Sequence, residues 1–359
     1  MKINYIAETS LTNRSAYTHH VLKMCDSLSK KGDVQLIIPH KGYNLSFKRI
    51  KKKFLLKTKK NILIKPILDS KISNFFHRIF FGYKSANYLK NSHSDLIISR
   101  SLITSFFFCI FKINHFLEIH TELKGLTRFL MIHLNYINSK YVLRTILISK
   151  ALSKNFTTIN KKKLLILHDA IDIEDFKNRK KTKKIKSVTY VGSFYKGKGV
   201  ELVLELAKKF TEIKFNIYGD PLENNYEISK NVKIHGYVDY SKVPLVLANS
   251  DIVVLPSANV QFGRLKNINI SNYNSPLKMF DYLAAGKIIL ASKRDGICEI
   301  LKHNFNSIIV EEYKLETWSK ALKEILNNKY NLSKLRNNSI KTAKKNTWDK
   351  RVIKIINSI

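Results

Sequence analysis

Cysteine is scarce in this chain, and so are proline, glycine and acidic residues. Three cysteines among 359 residues, Cys25, Cys109 and Cys298, are odd in number and show no metal-ligand spacing. That argues against a disulfide framework or a zinc site and makes a reducing cytoplasm the default. Only 12 Gly and 6 Pro leave little room for long disordered or low-complexity segments. No long apolar run exists either: the longest, LITSFFFCIF at 102–111, contains Thr and Ser and stops at Lys112, too short to span a bilayer. The N-terminal MKINYIAE enters a strand-like pattern directly, without signal-peptide architecture. A soluble, cytoplasmic protein is the expectation.

Acidic residues number 27 against 64 Lys and Arg, a formal net charge of +37. The excess peaks at KGYNLSFKRIKKKFLLKTKK (41–60), with nine basic and no acidic residues and with Phe47, Phe54, Leu55 and Leu56 interspersed. Such a field attracts polyanions, either nucleic acid or an anionic membrane surface. A proteome rich in Lys, Asn and Ile would raise the charge everywhere without functional meaning. Nucleic-acid binding further predicts a recognition module or aromatic residues regularly paired with Arg, and the sequence has neither.

The chain is long enough for two domains of roughly 170–180 residues each. Short apolar runs alternate with amphipathic helices. KINYIAE, VQLIIP, DLIISR, HFLEIH and TILIS lie in the first half, and KSVTYVGSF, KFNIYG, DIVVLP, KIILAS and SIIV in the second. A helix is predicted from Ser15 to Lys31. This alternation is the pattern of parallel sheets built from βαβ units. The apolar-free KNRKKTKK (177–184) divides two such blocks. The expected organisation is therefore a Rossmann-like domain over 1–176, a linker at 177–185, a second Rossmann-like domain over 186–345, and a C-terminal helix in 346–359 packing on either domain.

In doubly wound sheets ligands sit at the carboxyl ends of strands. VGSFYKGKGVE (191–201) offers three glycines, Lys196 and Lys198 just ahead of a helix, a weak anion signal by itself. Gly219 ends IYGD, and Gly236 and Tyr237 follow another short strand in VKIHGYVDYSKVP. In SPLKMFDYLAAGK (275–287), Ser275 is a good N-cap and Pro276 suits the first helical position. The first free amides would then belong to Leu277 and Lys278. Asp281 falls on the apolar stripe of that helix, where an unpartnered carboxylate is costly. It is either an edge residue paired with Lys278 or a ligand to the ribose hydroxyls of a nucleotide whose diphosphate meets the helix amides and lysines.

Taken in order, these segments resemble the family 4 glycosyltransferases (glycosyl transferases group 1). VGSFYKGKGVELVLELAKKF is similar to the family's VGR…EKG segment, and SPLKMFDYLAAGKIILASKRDGICEIL to its SPLK…E…AAG…EI signature. FLEIHTE is similar to its E-x-H segment, and ILHDAIDIEDF to its NGVD…F segment. The resemblance implies a GT-B fold, two Rossmann-like domains facing a central cleft. It implies a retaining, metal-independent transfer from a nucleotide-diphosphate sugar, UDP- or GDP-linked, with no other cofactor. On this resemblance the donor meets Ser193, Lys196, Lys198, Gly219, Gly236, Tyr237, Ser275, Pro276, Leu277 and Lys278, with its ribose at Asp281. His120 and Glu118 stand at the reacting sugar, and Asn13, Arg14, His20 and Arg100 near the acceptor.

The chain departs from the family in having Ser193 for an Arg, Asp281 for a Glu and Tyr273 for the first Glu of a Glu-x7-Glu pair. The expected acceptor is a cell-surface glycan or a lipid-linked sugar, reached at the inner face of the plasma membrane. Other readings are a nucleotide-sugar epimerase of the same architecture, a basic binding protein, or an inactive homologue.

Overall fold

The computed structural model describes all residues except 13–14, 41–45, 60–61, 69–71, 73, 180–183, 220–225 and 263–267, and the side chains of 126, 127, 130 and 132. It forms two compact units. The first comprises Met1–Ile148, Leu152–His168 and Trp348–Ile359, the second Ser149–Ala151 and Asp169–Thr347. The change of unit after His168 thus precedes the basic 177–184 stretch.

The first unit is a seven-stranded, all-parallel sheet: β1 (Lys2–Ile6), β2 (Asp33–Ile38), β3 (Leu63–Pro66), β4 (Leu96–Ser99), β5 (His115–Ile119), β6 (Val142–Leu147) and β7 (Leu164–Ile166). Their order across the sheet is 3-2-1-4-5-6-7, so the winding reverses between β1 and β4. The central strands are mostly apolar because both faces are covered; every residue of β4 and β5 is buried, Glu118 of β5 included. The edge strands β3 and β7 are different. LIKP and LLI are no more than half-buried, and a Lys and a Pro fit at an edge that must not recruit another strand. The apolar-run pattern overlooks both strands for that reason.

The predicted first helix is Ala16–Leu28, capped by Ser15, whose side chain accepts from the Thr18 amide. The terminal helix, Trp348–Ile356, belongs to the first unit. Asp349 anchors it, accepting from Ser27 Oγ (2.6 Å) and Lys30 Nζ (2.7 Å).

The second unit is a six-stranded parallel sheet: β8 (Ser187–Val191), β9 (Lys214–Tyr218), β10 (Val232–Ile234), β11 (Ile252–Leu255), β12 (Ile288–Ser292) and β13 (Ile308–Val310). Its order, 10-9-8-11-12-13, places the reversal between β8 and β11. The helix Leu277–Ala285 packs Met279, Phe280, Tyr282 and Leu283 into the core with Val253, Leu255 and Ile289. Each such large apolar side chain contributes roughly 1.5–3 kcal/mol. All seven residues from Met279 to Ala285 are buried, so Asp281 has no solvent-facing side to occupy. Gly286 ends the helix in the left-handed conformation (φ 63°).

Candidate functional site

In the second unit the loops leaving β8, β9 and β10 are tied edge to edge. The Gly192 amide donates to Tyr218 O (2.9 Å) and the Gly219 amide to Gly236 O (2.8 Å). No side chain fits between them: a Cβ on Gly219 would overlap the Gly192 carbonyl, and Gly192 itself has φ 151°. The loop continuing from Gly192 to Gly199 is pinned to the segment after β11, where Ala258 N–H donates to Gly197 O (3.0 Å). Arg294 holds that segment in turn, donating to Ser257 O (2.9 Å) and Ala258 O (3.1 Å). The result is a set of backbone loops fixed at the reversal point of the sheet, where an open α/β sheet binds ligands.

Two lysines converge on this place. The Lys278 ammonium lies 4.0 Å from the centroid of the Tyr190 ring, and a Cβ on Gly192 would come within 2.9 Å of it. Tyr190 is held by its own hydroxyl, which donates to Ser193 O (2.7 Å). Burial pushes Lys198 down to about 8. Burial, and then the charge of Lys198, push Lys278 well below the ordinary lysine range. Among the described residues neither amine has a salt-bridge partner, so two partly buried cations share one place without a carboxylate. Such a place favours an anion.

The helix Leu277–Ala285 supplies further donors. Its register differs by one from the sequence expectation: Pro276, with φ −72° and ψ 130°, is the N-cap, and Ser275 is buried behind it. A proline's fixed φ serves a cap as well as a first turn, which is why the sequence does not separate the two. The first bond of the helix runs from Met279 N–H to Pro276 O (2.9 Å), so the amides of Leu277 and Lys278 precede it. One turn further, Asp281 is 7% exposed and accepts a hydrogen bond from the Tyr240 hydroxyl (3.1 Å). Burial, then the charge of Asp281, raises Tyr240 well above its usual range, which keeps it a donor.

Of the other expected donor residues, Lys196 is exposed, and its carbonyl accepts from the Phe262 amide (3.3 Å). Ser193 contributes the carbonyl that Tyr190 grips. Gly236 adopts φ 69° with open space around its Cα, and Tyr237 is exposed. Tyr273 is buried, and its carbonyl accepts from Ser149 Oγ (2.7 Å).

The first unit has its own polar centre, built around Glu118 at the end of β5. This carboxylate is fully buried. Tyr5 donates to Oε2 (2.9 Å), while His120 Nε2 (2.7 Å), Arg351 Nη2 (2.8 Å) and His20 Nε2 (2.9 Å) surround Oε1. Burial alone would raise Glu118, but the charges of Arg351 and His20 and the hydrogen bonds hold it well below the usual carboxylate range. An ionised carboxylate only accepts, so His120 carries its proton on Nε2 and presents Nδ1 as an acceptor. Burial, then the nearby Arg100 charge, lower His120 to about 3, so it is neutral at pH 7. Its ring is 4.6 Å from that of His20, edge to face, and His20 stands the same way against Trp348 (5.0 Å). Arg100 lies over the Tyr17 ring at 4.2 Å.

The structure thus brings His20, His120 and Glu118 into one cluster. It brings Lys198, Lys278, Leu277 and the three loop glycines into another, with Asp281 one helical turn away. Asn13 and Arg14 lie outside the described residues. Arg351, Tyr5, Trp348, Tyr190 and Tyr240 are absent from the sequence reading. Arg351 lies 233 positions from Glu118, and a lone arginine in a basic amphipathic helix carries no signal of burial.

Comparison with known proteins gives a consistent picture. Residues 171–346, nearly the whole second unit, match the family described as Glycosyl transferases group 1. An uncharacterized glycosyltransferase of Methanocaldococcus jannaschii, MJ1069, is 27% identical over 57% of this chain and 55% of its own length. The chain spans about half the length of the curated relatives it matches. Among solved structures, Anabaena HepE in complex with UDP and glucose is similar at TM-score 0.74 and 14% identity, covering all of both chains. WaaG, a glycosyltransferase involved in lipopolysaccharide biosynthesis, is similar at TM-score 0.64 and 11% identity, over 99% of this chain and 98% of the other. The fold is GT-B: two Rossmann-like, parallel-sheet α/β domains.

Proposed function

We propose that this chain, whose second unit matches glycosyl transferases group 1, is a retaining, metal-independent glycosyltransferase of family 4. It takes its sugar from a nucleotide-diphosphate donor, UDP-linked in first preference, and delivers it to a cell-surface glycan or glycolipid at the inner face of the plasma membrane. One observation carries the donor assignment: Lys198 and Lys278 lie together with no salt-bridge partner among the described residues, beside the Leu277 and Lys278 amides that precede the first bond of the helix bearing Asp281. HepE, similar over its full length, is known in complex with UDP and glucose, and this favours uridine as the base.

The chemistry follows from charge. Breaking the bond between the anomeric carbon and the diphosphate leaves negative charge on phosphate oxygens. The Lys198 and Lys278 amines and the Leu277 and Lys278 amides are already positioned to receive it, and the arriving negative charge favours the protonated form of both amines. Asp281 accepts from the ribose hydroxyls, with Tyr240 fixing the carboxylate plane. In the first unit Glu118 is a positioning residue, enclosed by its donors. His120 Nδ1 is then the group that receives a sugar hydroxyl. Among the described residues no helix is long and apolar enough to cross a membrane; in this reading the chain meets a lipid-linked acceptor at the membrane surface.

Thermal unfolding with UDP, GDP, CMP and ADP tests the donor. Saturation at 100 times Kd adds about 2.7 kcal/mol to the folded state, and UDP is expected to raise Tm while Asp281→Ala loses most of the effect. Equal or absent shifts with all four nucleotides would sink the assignment.

A pH dependence follows as well. Below about 8 the free protein carries Lys198 as ammonium; above it the charge is lost and with it part of the phosphate attraction. UDP affinity is expected to fall between pH 7 and 9.5, with a midpoint above 8 because bound diphosphate favours the charged amine. Lys198→Arg flattens the profile, since a guanidinium stays charged throughout. Titration calorimetry across that range would detect it, and a flat wild-type profile contradicts the role of Lys198.

A further inference from the structure

The basic 41–60 segment is the obvious membrane contact in the sequence, yet over its described residues the structure buries much of the apolar side. Ile50, Phe54 and Leu56 are buried in the first unit, while Phe47 and Leu55 are half-buried among exposed lysines and arginine. The exposed aromatic surface lies elsewhere, on the helix Phe75–Lys90. Phe76 (76% exposed), Phe80 (50%) and Tyr83 (46%) recur at a spacing of four and three, so they share one face. With His77, Ile79 and Phe107 they line an apolar groove of about 500 Å3. Tyr83 continues the band onto the neighbouring helix Leu102–Ile110 and its C-cap, edge-on to Phe107 (5.8 Å) and tilted against Phe111 (5.9 Å).

The charges around this band have one sign. Lys84 lies 4.5 Å from the Phe80 ring centroid, Lys90 lies 5.5 Å from that of Phe111, and Lys112 is exposed beside them. Arg78 is not counted, because Glu8 neutralises it at 2.7 Å. No acidic residue occurs from 70 to 94 or from 96 to 117. Aromatic rings flanked by lysine, on a helix lying along the surface, fit the boundary between acyl chains and anionic headgroups.

We propose that this face, Phe76, Phe80 and Tyr83 with Lys84 and Lys90, docks the protein on an anionic lipid bilayer. The rings enter the headgroup layer and the lysines meet its phosphates. A second copy of the chain is the poorer occupant: it would bring like charge against like charge on molecules of net charge +37. Single-stranded nucleic acid is also a poorer fit, because bases stack on separately presented rings, whereas here Phe76, Phe80 and Tyr83 line one groove and Tyr83 packs edge to face on Phe107. The inference rests on the membrane element of the proposed function and on nothing in sugar transfer. Vesicle binding is read without donor or acceptor, so its failure leaves the nucleotide assignment standing.

The experiment is co-sedimentation of the full chain with vesicles of phosphatidylglycerol and phosphatidylethanolamine, against phosphatidylcholine alone. Binding is expected only to the anionic vesicles and is expected to weaken at 0.5 M salt, where screening shortens to a few ångströms. Phe76→Ser/Phe80→Ser should reduce the bound fraction at least tenfold and leave the melting curve unchanged. Phe80→Trp gives a second readout: both native tryptophans are buried, so a blue shift on adding anionic vesicles reports the new ring entering lipid. Equal vesicle binding by the double-serine variant, or no blue shift, overturns the proposal. So does dimerisation, or binding of poly(U) RNA, that the same variant abolishes while vesicles go unbound.

Discussion

Arg351→Met lowers the stability of the first unit by about 3–5 kcal/mol, the usual cost of leaving a buried charge without its partner. The guanidinium donates to Glu118 Oε1, to His168 O (3.0 Å) and to Leu167 O (3.3 Å), so one substitution strands a carboxylate and two carbonyls. The remaining neighbours of Glu118 are Tyr5 and two histidines, of which His120 is neutral at pH 7. Without Arg351 the cheapest response is protonation of Glu118. That would free His120 Nε2 to release its proton and change tautomer, so the loss should extend to transferase activity and its pH profile. Glu118→Gln added to Arg351→Met should recover part of the stability, because a neutral amide replaces the stranded charge. Urea unfolding of the two variants decides it: if the double variant is no more stable than the single, the buried charge is not the cause.

Lys198→Met has the opposite signature. Loss of one preorganised cation at a developing phosphate charge typically costs 10²–10³ in rate, and a fall of roughly that size in kcat/KM is expected with the donor saturating poorly. Stability should hold or rise, because the unliganded protein keeps two like charges, Lys198 and Lys278, close together in a partly buried place. Function and stability oppose each other here, as is common where a site is built for an absent counter-charge. Transferase kinetics beside a melting curve test both halves. A variant that loses stability and activity together would make Lys198 a structural residue.

The two centres differ in how they could be read. The residues of the proposed donor site lie where chain order and strand ends place them, and so are visible in the sequence. Gly192, Lys198, Gly219, Gly236 and the opening of the helix Leu277–Ala285 each follow a strand whose apolar run identifies it. Burial of Asp281 followed from helical periodicity, since 100° per residue puts it among Leu277, Phe280 and Ala284. The N-cap was misread by one residue because Ser and Pro both suit either position. The two aromatic hydroxyls that shape the site were not legible. Tyr190 and Tyr240 sit in ordinary strand and loop contexts, and only side-chain direction reveals what they touch.

Sequence alone determined the class of architecture: the two parallel sheets, the central strands and the order of the motifs. These depend on local periodicity and on which residues a strand can bury on both faces, and both are written along the chain. Tertiary structure decided the rest. It assigned the terminal helix to the first unit and thereby gave Glu118 its arginine. It placed two lysines 80 positions apart in one field, buried Phe54 and Leu56 of the basic 41–60 segment, and left Phe76 and Phe80 in the open. Each of those outcomes turns on the meeting of residues distant in sequence, and charge, burial and partner are properties of that meeting rather than of either residue.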